Sequence, residues 1–177
     1  PGAATNLATE AVVRAAPDGY TLLLVAPANA INATLYDKLN FNFLRDIEPI
    51  AGIIRFPNVV VVNPSLPIKS IPELIAYAKA NPGKLNFGTS GVGSMVHLSA
   101  ELLMKETGIK MQHLPYKGGS NSMADLLGGT IDALFVSSPV AVGQAENKNL
   151  KMLAVTSRYR LEALPNVPTV EESGVPG

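Results

Sequence analysis

From Lys84 to Leu98 the chain runs strand, loop and helix with no slack, and no other stretch constrains the fold as much. Lys84 to Phe87 reads as a short strand, Gly88 to Ser94 is a run of small residues around Val92, and Met95 onward shows an apolar helical face. A strand that passes straight into a covering helix belongs to an α/β sheet that is largely parallel, because parallel neighbours need such crossovers. The same loop has a chemical property. The first turn of a helix carries four N–H groups without intrahelical partners, at the positive end of the dipole. Gly88, Gly91 and Gly93 allow close approach, and Thr89, Ser90 and Ser94 add hydroxyls, so a small anion could be held without a charged side chain. The alternative is a tight strand-to-helix turn with Ser94 as N-cap. The local residues leave both readings open.

The rest of the chain repeats the alternation. Asn6 to Ala16 reads as a helix with Leu7, Ala8, Ala11, Val12 and Ala15 on one face, ended by Pro17-Asp18-Gly19. Thr21 to Ala26 is a continuous apolar run, expected of a strand covered on both sides, with Pro27-Ala28-Asn29 as the loop beyond it. Ile50 to Ile54 and Asn58 to Asn63 are further strand candidates, the second β-branched throughout Val59 to Val62. Ser70-Ile71-Pro72-Glu73 is a capping box that starts a helix stopped by Asn81-Pro82-Gly83. Met111 to Pro115, Ile131 to Val136 and Met152 to Thr156 complete the strands. Met123 to Leu127 and Val140 to Asn147 are the intervening helices, and Tyr116 to Asn121 is a second small-residue loop. Ligands of such sheets collect beyond the carboxyl ends of the strands. The loops after Ala26, Phe87, Pro115 and Val136 are all rich in small or polar residues.

Composition removes several function classes. Fourteen Lys and Arg balance fourteen Asp and Glu, and aromatic residues make up only 6% of the 177, so the basic stripe of a nucleic-acid binder is absent. With no cysteine and two histidines there is no disulfide framework and no metal-ligand spacing. No window is apolar for long enough to span a bilayer. Pro1-Gly2 and Pro176-Gly177 read as loops cut from something longer, and the chain shows no signal-peptide pattern of a basic start, apolar core and cleavage site.

Catalytic motifs fail on particular residues. Gly88 and Gly93 have P-loop spacing, but Ser94-Met95 stands where Lys-Ser/Thr is required. Gly91 follows Ser90 directly, which breaks a nucleophile elbow. His97, in the first turn beyond the loop, could donate to a bound carboxylate or pack as a structural group. His113, inside a strand, reads as structural, Asp125 as a capping residue after Ser122, and Lys117 as a solvent-facing cation.

Taken in order, the segments resemble a known family. Pro1-Gly2-Ala3, Ala15 to Leu23, Leu35-Tyr36 with Asp46-Ile47-Glu48-Pro49, Ala80 to Asn86, Gly88 to Leu98, Pro115 to Gly118, Asp125 to Gly129, Leu153 to Ser157 and Leu164 to Gly174 carry the likeness. They resemble the extracytoplasmic substrate-binding proteins of tripartite tricarboxylate transporters, the Bug receptors. The resemblance implies an α/β, two-lobed, type II periplasmic-binding-protein-like fold that closes on its ligand, with no catalysis, no cofactor and no metal. It implies a small organic acid as ligand, membrane permease subunits as partners, no nucleic acid, and a periplasmic location. Carried onto this chain, the second-lobe site would be Thr89, Ser90, Gly91, Gly93, Ser94 and His97, with a wall from Ser137 and Ser138. The first lobe would add the loop holding Ala28 and Asn29.

The implied lobes are residues 1–55 (partial first lobe), 56–155 (second lobe) and 156–177 (return to the first), with Asn58 to Val62 and Met152 to Thr156 near the hinge. Family members begin with a strand and a Pro- and Gly-rich gripping loop that would precede Pro1. A lobe lacking its first strand exposes apolar surface and unpaired backbone, so self-association of this chain is expected. Two rivals stand beside the receptor reading. One is an enzyme using the Gly88–Ser94 helix N-terminus for a phosphate or oxyanion, and the other is a truncated remnant that binds nothing.

Overall fold

The computed structural model describes residues 5–116, 119–146 and 150–176. Pro1-Gly2-Ala3, Lys117, Gly118 and the end of the expected helix at Asn147 lie outside the described residues. The chain packs into two units, Pro1–Ile54 with Gly93–Met95, and Arg55–Val92 with Val96–Gly177.

The first unit is held by polar contacts. Helices α1 (Asn6–Val13) and α2 (Pro27–Leu35) meet through two buried side-chain hydrogen bonds. Asn32 Nδ2 donates to Asn6 Oδ1 at 2.8 Å, and Asn29 Nδ2 donates to Thr9 Oγ1 at 2.8 Å. A short helix α3 (Phe43–Asp46) is capped by Asn42, whose side chain accepts from Leu44 and Arg45 N–H groups. The strands expected at Thr21 to Ala26 and Ile50 to Ile54 do not form: both segments run without ladder partners. Their apolar side chains face outward, Leu24 77% and Ile53 78% exposed, where a covered strand would leave them buried. A continuous apolar run supplies the propensity for a strand but not the neighbour that makes one. Pro27-Ala28-Asn29, expected as a loop, is instead the first turn of α2, which suits proline at the head of a helix.

The second unit contains both apolar cores. Its strands are β1 (Asn58–Val62), β2 (Asn86–Thr89), β3 (Gln112–Pro115), β4 (Ala133–Ser137) and β5 (Lys151–Val155). They form one sheet in the order β3-β2-β4-β1-β5. Strand β2 is parallel to β3 and β4, while β1 is antiparallel to β4 and β5, so β1 alone runs against the others. Val59 to Val62 are fully buried because the sheet is covered on both faces. Val60 and Val62 join Phe87, Phe135 and the apolar sides of α4 (Ile71–Ala80) and α5 (Met95–Thr107). Val59 and Val61 face the other way, onto Met123 and Leu126 of α6 (Gly119–Leu127) and Ala141 of α7 (Ser138–Val142).

The capping box at α4 forms with one change. Ser70 Oγ accepts from Glu73 N–H at 3.3 Å, but Glu73 Oε2 accepts from the Lys69 N–H at 2.8 Å, one residue outside the cap. Helix α6 begins at Gly119, inside the stretch expected to be loop. Beyond β5 the chain stays on this unit: Val155 and Thr169 form a parallel bridge, and Val170 and Val175 pack on the α4–α5 core.

Candidate functional site

Because β2, β3, β4 and β5 run the same way, their carboxyl ends share one edge of the sheet, joined there by the amino end of antiparallel β1. Register pairs Thr89 with Pro115 and Asn58 with Ser137 along that edge. Thr89, Ser90, Gly91, His97, Ser137 and Ser138 therefore belong to one end of the second unit. Ala28 and Asn29 lie in the first unit, in α2, and Gly93 and Ser94 group with that unit while standing immediately before α5.

The turn after β2 needs its glycines for conformation. Gly91 has φ +126° and Gly93 φ +74°, where an L side chain is strained. Gly88 has a different role from the one its P-loop spacing suggests. It sits inside β2, and a Cβ there would lie 2.7 Å from Ile131 Cδ1, so its bare backbone serves packing against the α6 side of the sheet.

Thr89 is fully buried, and its hydroxyl organises the turn. Gly91 N–H donates to Thr89 Oγ1 at 3.2 Å, the hydroxyl lies 3.3 Å from Gly91 O, and His113 Nε2 lies 2.6 Å away. With the His113 proton on Nε2, the hydroxyl accepts twice and donates once, and all three contacts are satisfied. The His113 ring stacks on Phe87 (centroids 5.0 Å apart) and on His97 (4.1 Å). His97 Nε2 in turn lies 3.3 Å from Glu101 Oε1, one turn along α5. Burial holds the His113 pKa below the usual histidine value; His97 adds to that and Glu101 opposes it.

Tyr116 closes the turn from β3. Its N–H donates to Thr89 O at 3.0 Å, and its hydroxyl donates to Asp125 Oδ2 at 2.7 Å. Burial first, then the bond to Asp125 and its charge, push the phenol up to about 12, so it remains a neutral donor. Because α6 begins at Gly119, Ser122 lies inside the helix and Asp125 partners Tyr116 rather than completing a cap. On the other side of the edge, Ser138 N–H donates to Pro57 O at 2.9 Å, and Ser137 ends β4. Asn58 N–H donates to Thr156 Oγ1 at 2.9 Å, and Asn58 Nδ2 donates to Ser99 Oγ at 2.9 Å, tying β1 to α5. In α2, Asn29 is committed locally: its Oδ1 accepts from Ala26 N–H at 2.9 Å in addition to the bond it donates to Thr9.

Sequence reasoning did not find Asn58, Tyr116 or the link from His113 to Thr89. The signal for the last was the strand period, since Phe87 and Thr89 share a sheet face and register places His113 beside Phe87. Among the described residues there is no group of three or more His, Asp or Glu that could hold a metal ion. No described helix is long and apolar enough to cross a membrane.

Comparison with known proteins adds a second line of observation. Residues 1–177 match the family described as tripartite tricarboxylate transporter family receptor. Protein BugT of Bordetella pertussis is 36% identical over 99% of this chain and 54% of its own length. A Rhodopseudomonas palustris protein solved with adipate superposes with a TM-score of 0.88 at 35% identity, covering 97% of this chain and 58% of that one. MatC from Rhodopseudomonas palustris, solved with bound malate, gives a TM-score of 0.85 at 26% identity over 98% of this chain and 60% of its own. The chain spans little more than half the length of the proteins it matches.

Proposed function

The chain belongs to the tripartite tricarboxylate transporter receptor family, and from that premise we propose that it holds a small organic acid at the carboxyl-end loops of its mixed sheet. The family is one of solute receptors rather than enzymes, which sets aside the phosphate or oxyanion enzyme. The observation that carries the reading is the turn from Thr89 into α5. Gly91 and Gly93 adopt left-handed conformations that favour glycine and, having no side chain, allow close approach at the strand end and helix start where a carboxylate is best received. The adipate-bound and malate-bound relatives support a carboxylate as the ligand class.

In this reading Ser90, Gly93 and Ser94 supply N–H groups and hydroxyls, His97 donates from the first turn of α5, and Ser137 and Ser138 form a wall, while Thr89 and Gly91 shape the turn, since the Thr89 hydroxyl and the Gly91 N–H are already bonded to each other. Asn29 contributes by fixing the start of α2 rather than through a spare amide, since its side chain already serves Ala26 and Thr9. The receptor works outside the cytoplasmic membrane and delivers its acid to the permease subunits of a tripartite tricarboxylate-type transporter. The outward-facing apolar side chains of the first unit, Leu22, Leu24, Ile50 and Ile53 among them, are read as a surface through which copies of this chain associate.

The test is Ser94→Asp, which sets a negative charge at the helix start. Titration calorimetry with malate and adipate should show binding by the parent chain and none by the variant. Unchanged affinity in the variant would overturn the assignment.

A further inference from the structure

His113 lies in a strand, two residues before the end of β3, and read as a structural histidine. The structure connects it to the candidate loop through one atom. Its Nε2 is 2.6 Å from Thr89 Oγ1, and that oxygen accepts the Gly91 N–H at 3.2 Å. The ring stacks on Phe87 and on His97, which restrains its orientation toward the hydroxyl. Thr89 is fully buried, which leaves its hydroxyl no solvent alternative if the imidazole is lost.

We propose that His113 is a positioning residue of the carboxylate site, setting the Thr89 hydroxyl and through it the Gly91 N–H; this rests on the reading of the Thr89–Ser94 turn as that site. In the tautomer with the proton on Nε2, donation from that nitrogen occupies one lone pair of the hydroxyl and directs its proton to Gly91 O, so the second lone pair faces the Gly91 N–H. Without the imidazole the hydroxyl keeps only its two longer contacts to Gly91, at 3.2 and 3.3 Å, and its orientation toward that φ +126° residue is less firmly set. His97, its stacking neighbour, is a candidate to touch ligand, whereas His113 acts only through Thr89.

Two measurements on the full chain test this. Gly91 amide exchange is followed by ¹⁵N NMR without ligand, and affinity for malate and adipate by titration calorimetry. His113→Phe keeps the stack and removes the hydrogen bond; it should speed Gly91 exchange and weaken binding, each by about three- to tenfold. His113→Gln places an amide N–H near the position of Nε2 and should restore both. Thr89→Val should lose at least as much as His113→Phe, and adding His113→Phe to it should cost nothing further. The proposal is overturned if His113→Phe leaves Gly91 exchange unchanged, if glutamine fails to rescue it, or if the two losses add. Should the parent chain bind neither acid, the carboxylate reading fails, while Gly91 exchange and its rescue by glutamine still decide whether His113 positions the turn.

Discussion

Replacing Gly88 with alanine puts a methyl group where the sheet has no room for one. The added Cβ would lie 2.7 Å from Ile131 Cδ1, 3.1 Å from Leu134 Cδ1 and 3.2 Å from Tyr116 Cε2. These are side-chain ends, but Ile131 and Leu134 are buried within the core and have no open space to swing into. Inserting a methylene-sized group into a packed core costs about 1–3 kcal/mol. Replacing glycine in a strand returns about 0.5–1 kcal/mol of that. The net expectation is a loss of up to about 2.5 kcal/mol, which at this chain length lowers the thermal midpoint by about 2–4 °C per kcal/mol. The mechanism has a specific antidote. Ile131→Val deletes the atom in the worst contact and by itself costs about 0.5–1.5 kcal/mol. If crowding against Cδ1 is the cause, the double variant should be more stable than the sum of the singles predicts, by about 1 kcal/mol. Urea titration reads all four proteins, with the midpoint shifting and the slope constant. Additivity within about 0.3 kcal/mol would refute the reasoning, because it would mean that the two groups do not meet.

Acid should loosen the fold in two separate steps. His113 is held neutral below its free value of 6.5, so the unfolded chain binds the extra proton first. That contribution is full above 6.5 and is lost as pH falls through 6.5 toward the lower folded value. His113→Gln should erase this upper step in a plot of thermal midpoint against pH, and its survival would disprove the assignment. Glu172 has its pKa lowered by the Thr169 backbone N–H first and by Arg160 next, so its contribution is present above 4.5 and disappears only as pH falls further. Light scattering across a concentration series should show self-association of this chain, reduced by Leu24→Lys with Ile53→Lys. A monomer at every concentration would contradict the proposed association surface.

Legibility in the sequence followed how far each signal depends on distant residues. The Ser70 cap, the start of α5 after Ser94 and the β-branched run of β1 are local chemistry, and the structure has them where the residues place them. Thr21 to Ala26 and Ile50 to Ile54 have the same apolar character as β1 yet form no strand, because pairing is a property of two segments. The reversed direction of β1 is likewise invisible in its own residues. At the candidate site, the glycines and hydroxyls of the turn were legible because the strand-to-helix junction is contiguous. The His113–Thr89 and Tyr116–Asp125 contacts were not, since they depend on which strands lie side by side and on where α6 crosses them.

The one reversed strand also governs when this unit can be assembled. Val60 pairs with Phe135 on one side and Ala154 on the other, and both partners are translated long after it. At roughly 5–20 residues per second, a ribosome would leave β1 waiting on the order of ten seconds for its last neighbour. During that time Val59 to Val62 is an unbroken β-branched stretch with neither charge nor proline, the kind of segment that seeds cross-strand aggregation. A strand buried inside the finished sheet is therefore the nascent chain's most exposed hazard, and synthesis of this unit should depend on holdase chaperones more than its final stability suggests.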